Sequence, residues 1–377
     1  MNENLNIGRR QALREFGAVL TWPFLEGLVL AAPPKNKKKQ SSTKPEAFPA
    51  GGPYHGYGGK ATGGAGRPTI EVKTYEELRE ALIKGNATIV VKARVIEVPQ
   101  KIETTASNIT LDGQGATLRG DKLPRPMQML KFVKGSNYIV KNIRLRNGGD
   151  NVAFYGGARD IVIDHVSSTG AGDDGISISN DAQNATVTHC FLAGNTRGIF
   201  CKYGKTDRIT IDHCIICKLW MRAPLLDQIK AFDVRNNLVQ EWRVMGVRLS
   251  GDNCNGNIMG NIYVTPPDSK GALNRRSIVF ANGKGIGDIY IADNEFRGCA
   301  EKKIKGTVNS PLPTPPIVPA YTTDLVRLEK QLLSETDGAG CMPRDVVDKA
   351  YLAAREWPMN VYTPFRIPKT DEPLPTQ

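Results

Sequence analysis

The stretch GAGDDGISIS, residues 170–179, places two carboxylates, Asp173 and Asp174, side by side among small and apolar residues. Such a pair is compatible with three structures: a tight turn at Asp174-Gly175, the acid pair of a sugar hydrolase, or half of a metal site. The choice among them depends on which residues the fold places above and below the pair.

Charged residues recur at a nearly constant interval on both sides of Asp173. Asp150 precedes it by 23 residues, Arg197 follows it by 24, and Arg222 follows Arg197 by 25. If one turn of the fold takes 23–25 residues, these four side chains form one column on one face. The same interval predicts a second column of Ser177 or Ser179, Lys202 and Asp227.

Carboxylates on neighbouring turns, about 5 Å apart, repel each other unless a cation lies between them. A hard divalent cation with oxygen ligands removes this repulsion, and calcium tolerates the irregular geometry of an open groove. A glycosidase would need one acid held neutral by burial, whereas the flanking arginines keep both acids ionised. We therefore predict a calcium site, with Asp173 in the groove and Asp174 in the bend.

The elements that would position this column are visible as a repeat. The segments IVIDHVS, ATVTHCF and ITIDHCI place His165, His189 and His213 at intervals of 24 residues. Each copy is a β-branched alternation that ends in a polar residue, which predicts a strand followed by a bend. Short strands at this interval, with no helical stretch between them, predict an all-β solenoid of parallel strands.

The polar residues at the bends are expected to stack on their counterparts about 4.8 Å away in the next coil. Asn142 lies one interval before the histidines, and Asn237 and Asn261 follow them at the same interval. Ladders of this kind satisfy backbone groups, so a structural role is favoured over a catalytic one. Cys190 over Cys214 is expected to be a buried thiol stack, because the seven cysteines show no CxxC spacing.

The end strands of a solenoid need caps, because they otherwise expose apolar surface and open edges. The segment TYEELREALIKG predicts an N-terminal capping helix with a capping box of Thr74 and Glu77 and a terminal Gly85. After residue 300 the repeat stops. A proline-rich crossing then leads to one helix near 343–356, expected to pack along the coil or over its far end.

The N-terminus has the pattern of an export signal. Arg9-Arg10 precede the apolar stretch FGAVLTWPFLEGLVLAA, which indicates the twin-arginine route for residues 1–32. Residues 33–66 are predicted to form a disordered linker. The net charge of +12 favours a polyanionic partner. The sequence lacks the zinc spacing and basic-aromatic pattern typical of nucleic-acid binding, and lacks an apolar run long enough for a membrane span.

The segments DNVAFYGGARDIVIDHVSS, DDGISISNDAQNATVTHC, WMRAPLLD and VRNNLVQEW resemble successive coils of the pectate lyases of polysaccharide lyase family one. The resemblance runs from about Thr69 to Val264 and returns at GAGCMPRDVVDKAYLAAREW. It implies a right-handed parallel β-helix over residues 67–300, with residues 301–377 as a C-terminal extension. It also implies calcium-dependent β-elimination of polygalacturonate. We expect the protein to be a monomer.

Transferred residue by residue, the resemblance implies that Asp150 and Asp173 are calcium ligands and that Arg222 is the catalytic arginine. Arg197 or Lys202 would take the place of the lysine that contacts substrate. The chain departs from the family pattern at three positions that bear on calcium affinity and the preferred substrate. Gly148 and Ser177 replace acidic ligands, and Asp227 replaces a second substrate arginine.

Elimination requires removal of the proton next to a uronate carboxylate, which leaves an enediolate with extra negative charge. Cations that bind the carboxylate favour that transition state, and the predicted column supplies them. Two alternatives remain open: an acidic-carbohydrate-binding β-helix without turnover, for which the three departures argue, and a glycoside hydrolase on the same scaffold.

Overall fold

The computed structural model describes residues 52–124, 127–265, 276–281, 287–298, 304–305, 310–311 and 324–353. In chain order, the described strands are β1 (Thr69–Val72), β2 (Ala87–Val91), β3 (Val95–Glu97), β4 (Ile102–Thr104), β5 (Ile109–Asp112), β6 (Thr117–Arg119), β7 (Leu130–Val133), β8 (Ser136–Arg146), β9 (Val152–Tyr155), β10 (Arg159–Thr169), β11 (Asp174–Ser179), β12 (Gln183–Thr188), β13 (Phe191–Ala193), β14 (Arg197–Lys202), β15 (Asp207–Asp212), β16 (Ile215–Cys217), β17 (Leu225–Asp227), β18 (Phe232–Arg235), β19 (Leu238–Gln240), β20 (Met245–Ser250), β21 (Gly256–Met259), β22 (Ile262–Val264), β23 (Arg276–Ala281), β24 (Asp288–Ala292), β25 (Glu295–Arg297), β26 (Ile304–Lys305) and β27 (Ser310–Pro311). The described helices are α1 (Tyr75–Lys84), α2 (Leu325–Leu333) and α3 (Val346–Ala353).

The strands form three parallel ladders that run along a solenoid. The first ladder contains β1, β2, β5, β8, β10, β12, β15, β18, β21, β24 and β27. The second contains β3, β6, β8, β10, β13, β16, β19, β22 and β25. The long strands β8 and β10 bend and join these two ladders into one 18-stranded sheet. The third ladder, β4, β7, β9, β11, β14, β17, β20, β23 and β26, is a separate 9-stranded sheet.

The predicted parallel β-helix is confirmed by this topology. The coil also extends further than the sequence predicts, because β26 pairs with β23 and β27 pairs with β24. The repeat therefore continues past residue 300, where its sequence signal ends.

Alternate residues of each strand point into the coil and stack on their partners in neighbouring coils. Ile163 pairs with Val187, and Val187 pairs with Ile211; all three are fully buried. Phe132 and Phe154 stack with ring centroids 4.8 Å apart. Each aliphatic side chain buried in this way contributes about 1.5–3 kcal/mol, so the interior holds the coils in register.

The predicted histidine ladder is present at the bend between the first two ladders. The rings of His165, His189 and His213 stack with centroids 4.9 Å apart. Their backbone φ angles are 48–50°, a left-handed conformation in which histidine and asparagine are enriched. Each ring Nδ1 also lies within hydrogen-bond distance of the side chain that precedes it in sequence. These contacts fit the structural role predicted for the histidines.

The asparagines occupy two neighbouring columns. Asn142 and Asn236, with φ of 50° and 54°, continue the histidine bend. Asn237 lies beside them, accepts the Cys214 N–H at 2.9 Å and donates to Asn261 Oδ1 at 2.9 Å. The prediction that Asn237 and Asn261 extend the histidine column is therefore wrong by one residue. The coil between β15 and β18 is one residue shorter than the coil before it.

Helix α1 caps the first coil as predicted. The Thr74 hydroxyl accepts the Glu77 N–H at 3.2 Å, and the Glu77 carboxylate accepts the Thr74 N–H at 3.2 Å. Gly85 ends the helix with a φ of 61°. Leu78 and Leu82 are buried against the coil, so the helix covers apolar surface that the first coil would otherwise expose.

Residues 324–353 of the C-terminal extension pack along the second ladder. The predicted helix is present as α3, and α2 is a second helix that the sequence does not predict. Leu328, Leu332 and Tyr351 form an apolar cluster with outward-facing residues such as Phe191 and Ile215. This outer face is therefore buried, even though it lies outside the coil.

Residues 52–66 lie on the outer face of the first ladder, so the disordered linker predicted for 33–66 is wrong for this part. Backbone N–H groups of Tyr57 and Gly58 donate to the hydroxyls of Thr210 and Thr186 at 3.1 and 2.9 Å. A Cβ on Gly58 would lie 2.1 Å from a strand carbonyl, so glycine permits the close approach. The glycines of this segment are abundant, as in a linker, but here they allow its backbone to pack closely on the strands. The rest of the predicted linker and the export signal lie outside the described residues.

Candidate active site

The predicted charged column lies at one edge of the third ladder. Asp173 donates its backbone N–H to the carbonyl of the residue before Asp150 at 2.7 Å, and Arg197 donates to the Asp173 carbonyl at 2.9 Å. The Arg222 carbonyl accepts an N–H from β14 at 2.7 Å. The four predicted residues therefore occupy neighbouring coils at the same corner of the solenoid.

Three carboxylates meet at this corner. Asp150, Asp173 and Asp174 have oxygens that all lie within 4.8 Å of one another. The Asp174 side chain is only 4% exposed, so its assignment to a bend outside the site is wrong. Strand β11 begins at Asp174, and the side chain of this first residue lies among the charged groups of the corner.

Two arginines bind this cluster from the following coils. The Arg197 Nη1 contacts Asp173 Oδ1, and the Arg222 Nη1 donates to both oxygens of Asp174 at 3.1 and 2.8 Å. The Arg222 guanidinium also lies over the Phe200 ring, 4.4 Å from its centroid. Among the described residues, the buried Arg222 Nε has no hydrogen-bond partner. Arg222 is thus held from one side by an acid and from another by an aromatic face.

The environment of the carboxylates favours a further positive charge. Asp150 accepts the Asp174 N–H and the Tyr155 hydroxyl, each at 3.1 Å. Burial, followed by repulsion from Asp173, raises the pKa of Asp150. Burial raises the pKa of Asp174 to about 8, although the Arg222 guanidinium opposes this shift. The ionised cluster is therefore disfavoured without a compensating cation.

The donor set fits a hard divalent cation. Carboxylate oxygens are the ligands that calcium prefers, and Asp150 has no arginine or lysine among its hydrogen-bond partners in the described residues. Two guanidiniums facing three carboxylates leave one negative charge, and Asp150 and Asp173 would hold the ion.

Two of the departures from the lyase pattern, Gly148 and Ser177, lie near this corner. A Cβ on Gly148 would lie 2.7 Å from the Asp150 carbonyl and 3.0 Å from the Met129 side chain, so an acidic ligand does not fit there without a shift of the backbone. Ser177 is fully buried in β11. The cluster instead obtains its third carboxylate from Asp174.

The second predicted column lies on the same sheet. Tyr155, Ser179, Lys202, Asp227 and Ser250 are aligned across β9, β11, β14, β17 and β20. The Lys202 Nζ lies 3.5 Å from Asp227 Oδ2, and Ser250 donates to the same oxygen at 2.5 Å. Lys202 is therefore paired with an acid on this sheet.

Asp174, Phe200 and Tyr155 are the site residues that the sequence prediction missed. Asp174 precedes Arg222 by 48 residues, which is two coils, so the interval of the repeat could have revealed the pair. Phe200 precedes Lys202 by two residues and so faces the same side of β14. Nothing in the sequence singles out Tyr155.

Comparison with known proteins shows the same architecture. The probable pectate lyase C of Aspergillus flavus is 25% identical over 277 residues, which cover 69% of this chain and 63% of the relative. The chain therefore spans less than two thirds of the length of this curated relative. A Bacillus sp. N165 pectate lyase in complex with trigalacturonate superposes with a TM-score of 0.54, at 16% identity over 77% of this chain and all of that one. A pectate lyase bound to a hexasaccharide has a TM-score of 0.58, at 13% identity over 80% of this chain and all of that one.

No protein-family model matches the chain. The fold and the site define a parallel β-helix protein with an acidic cluster and arginines on one sheet. The chain is therefore similar in sequence to fungal pectate lyases and shares the fold of solved pectate lyases. None of the helices in the described part of the chain has the length and apolar character needed to cross a bilayer.

Proposed function

We propose that the protein is a polysaccharide lyase that cleaves polygalacturonate or a related acidic glycan by calcium-assisted β-elimination. One observation carries this proposal: the Arg222 guanidinium is fixed within a corner that also holds three carboxylates. An acidic chain bound there would place a carboxylate against positive charge, and the proton to be removed lies on the adjacent carbon.

Calcium held by Asp150 and Asp173 would supply electrophilic stabilisation of the uronate carboxylate. Arg222 is the proposed catalytic residue. Its contact with Asp174 keeps the guanidinium oriented. The guanidinium stabilises the enediolate that develops when a solvent water takes up the C5 proton.

The electron pair of the C5–H bond then forms the C4–C5 double bond. The C4–O bond to the neighbouring sugar breaks, and the leaving oxygen takes up a proton from solvent. The products are one chain end with an unsaturated uronate and one with a free hydroxyl. Arg197 and Lys202 are the proposed substrate-binding residues, because both are partly exposed on the same sheet.

The decisive experiment follows ultraviolet absorbance of polygalacturonate incubated with the protein and calcium. Elimination raises the absorbance, because the unsaturated uronate absorbs. Hydrolysis would release reducing ends without that rise and would establish the glycosidase alternative. Binding without either product would establish a non-catalytic β-helix, the alternative for which Gly148, Ser177 and Asp227 argue.

We further infer that the protein is exported and acts as a monomer. The paired arginines Arg9-Arg10 before an apolar segment support export. Fractionation of cells that express the full chain, and an Arg9→Lys, Arg10→Lys variant, tests this inference.

All six described cysteines are free and buried, including Cys190 next to Cys214, as expected for a buried thiol stack.

A further inference from the structure

The sheet face beside Arg222 carries a further acid, Asp227, which is paired with Lys202. Asp227 ends β17 and lies in the same row as Lys202 and Ser250. That row is two residues along β14 from Phe200, whose ring carries the Arg222 guanidinium, and two residues of a strand span about 7 Å. The Asp227 row is therefore the position next to the proposed catalytic residue.

The two oxygens of Asp227 differ in their surroundings. Oδ2 receives the Ser250 hydroxyl at 2.5 Å and lies 3.5 Å from the Lys202 Nζ. Among the described residues, no group donates a hydrogen bond to Oδ1. This oxygen is not one of the buried polar atoms without a partner, so it is accessible to solvent. It thus remains available as an acceptor for a sugar hydroxyl.

The charge at this row opposes a second uronate. The Lys202 ammonium is already paired with Asp227. The negative charge of Asp227 weakens the attraction between this ammonium and a substrate carboxylate. A carboxylate about 5 Å from Asp227 would be repelled, whereas a hydroxyl could donate to Oδ1. The row therefore discriminates against a charged sugar and in favour of an uncharged one.

An exposed aromatic ring strengthens this preference. Tyr203 is 49% exposed, lies beside the Lys202 Nζ at 5.1 Å and packs edge-on against Phe200 at 5.7 Å. A large exposed tyrosine ring offers an apolar face with a polar tip. The C–H face of an uncharged sugar matches that surface.

We propose that Asp227 makes the row next to Arg222 a subsite for an uncharged sugar unit, so that the preferred substrate carries uronates separated by uncharged units. This inference rests on the proposed polysaccharide-lyase function. Two kinds of sugar unit are uncharged, a neutral sugar and an esterified uronate. The polymers compared below distinguish between these two kinds.

The test compares binding and cleavage of three polymers. They are polygalacturonate, the same polymer with only part of its carboxyls methyl-esterified, and a chain in which galacturonate alternates with rhamnose. Binding is measured by retardation in gels that contain each polymer, and cleavage by ultraviolet absorbance. The wild type is expected to bind at least one of the two less charged polymers about tenfold more tightly than polygalacturonate, and the preferred polymer identifies the source.

The variants are Asp227→Arg, which reverses the charge, and Asp227→Asn, which keeps the shape if the arginine variant does not fold. Asp227→Arg is expected to shift the binding ratio by at least tenfold toward polygalacturonate, and Asp227→Asn by a smaller factor in the same direction. Asp252→Arg is the matched control, because Asp252 is exposed and follows Ser250 by two residues. It makes the same charge change outside the row and is expected to leave the ratio unchanged.

Tighter binding of polygalacturonate by the wild type, or equal shifts in the Asp227→Arg and Asp252→Arg variants, would overturn the proposal. Failure of the function proposal has a different signature. In that case no polymer yields an ultraviolet-absorbing product, while the gel retardation ratios still report on Asp227.

Discussion

Removal of the Arg222 guanidinium should affect stability and activity through separate routes. The Arg222→Ala substitution leaves Asp174, whose side chain is 4% exposed, without its guanidinium partner. Breaking a buried ion pair from one side costs about 3 kcal/mol or more, and loss of the guanidinium from the Phe200 face adds about 0.5–1 kcal/mol. Proton uptake by Asp174, whose pKa burial already raises to about 8, limits the total to about 3 kcal/mol.

The double variant Arg222→Ala, Asp174→Asn separates the two routes. The neutral amide removes the buried charge, so most of the lost free energy of unfolding should return, to within about 1 kcal/mol. Elimination should stay lost by about 100-fold or more, because the group that stabilises the enediolate is still missing. The wild type, the two single variants and the double variant are unfolded with denaturant in the presence of a chelator, which measures the coupling free energy between the two side chains. Ultraviolet absorbance measures elimination by the same four proteins.

Arg119→Ala provides the matched control. Arg119 pairs with Glu97 in a contact where both side chains are more than a third exposed, so its loss should change the free energy of unfolding by no more than about 1 kcal/mol. If the double variant is as unstable as Arg222→Ala, the ion pair does not account for the loss. If the double variant eliminates at the wild-type rate, Arg222 has no part in the chemistry.

Three further predictions concern the metal, the histidine ladder and the C-terminal extension. Calcium should raise the thermal unfolding midpoint of the wild type and should not raise that of Asp173→Ala, because an ion that binds only the folded state stabilises it; an equal rise in both would place the ion elsewhere. Burial and the neighbouring histidines lower the pKa of His189 to about 4, so stability should fall as the pH drops from about 6.5 to 4, since the unfolded chain binds the proton first. His189→Asn should flatten that pH profile, because asparagine also accepts the left-handed bend, and the exposed His55→Asn should not. Asp348, fully buried, accepts Arg146 Nη2 at 2.8 Å, so Asp348→Ala should cost about 3 kcal/mol in denaturant unfolding while elimination persists in the folded protein; a cost below about 1 kcal/mol would show that the contact contributes little.

The stacking interval is the part of this protein that can be predicted from the sequence. Parallel strands in register place residues one coil apart about 4.8 Å from each other, so a spacing of 23–25 residues is sufficient to bring Asp173 beside Arg197. The same rule predicts the histidine stack and the thiols. The interval can be read from the sequence alone. Because the coil repeats with the same interval, residues that are one interval apart become neighbours in space.

Only the tertiary structure shows what happens where a coil changes length or a strand begins. One missing residue between β15 and β18 moves Asn237 out of the histidine column. Asp174 is the first residue of β11, and only its position in the folded corner shows that its carboxylate binds Arg222 two coils away. Residues 52–66 have the composition of a linker, yet their backbone is bound by threonine hydroxyls of distant coils.

The physical reason is the same in each case. The sequence interval determines which coil lies next to which, because a regular solenoid repeats a nearly constant length of chain. The direction of a single side chain at a corner, and the partner that reaches it from another coil, depend on atoms that are far apart in sequence. The candidate site lies at such a corner, so the sequence locates its charges and the fold decides which of them pair.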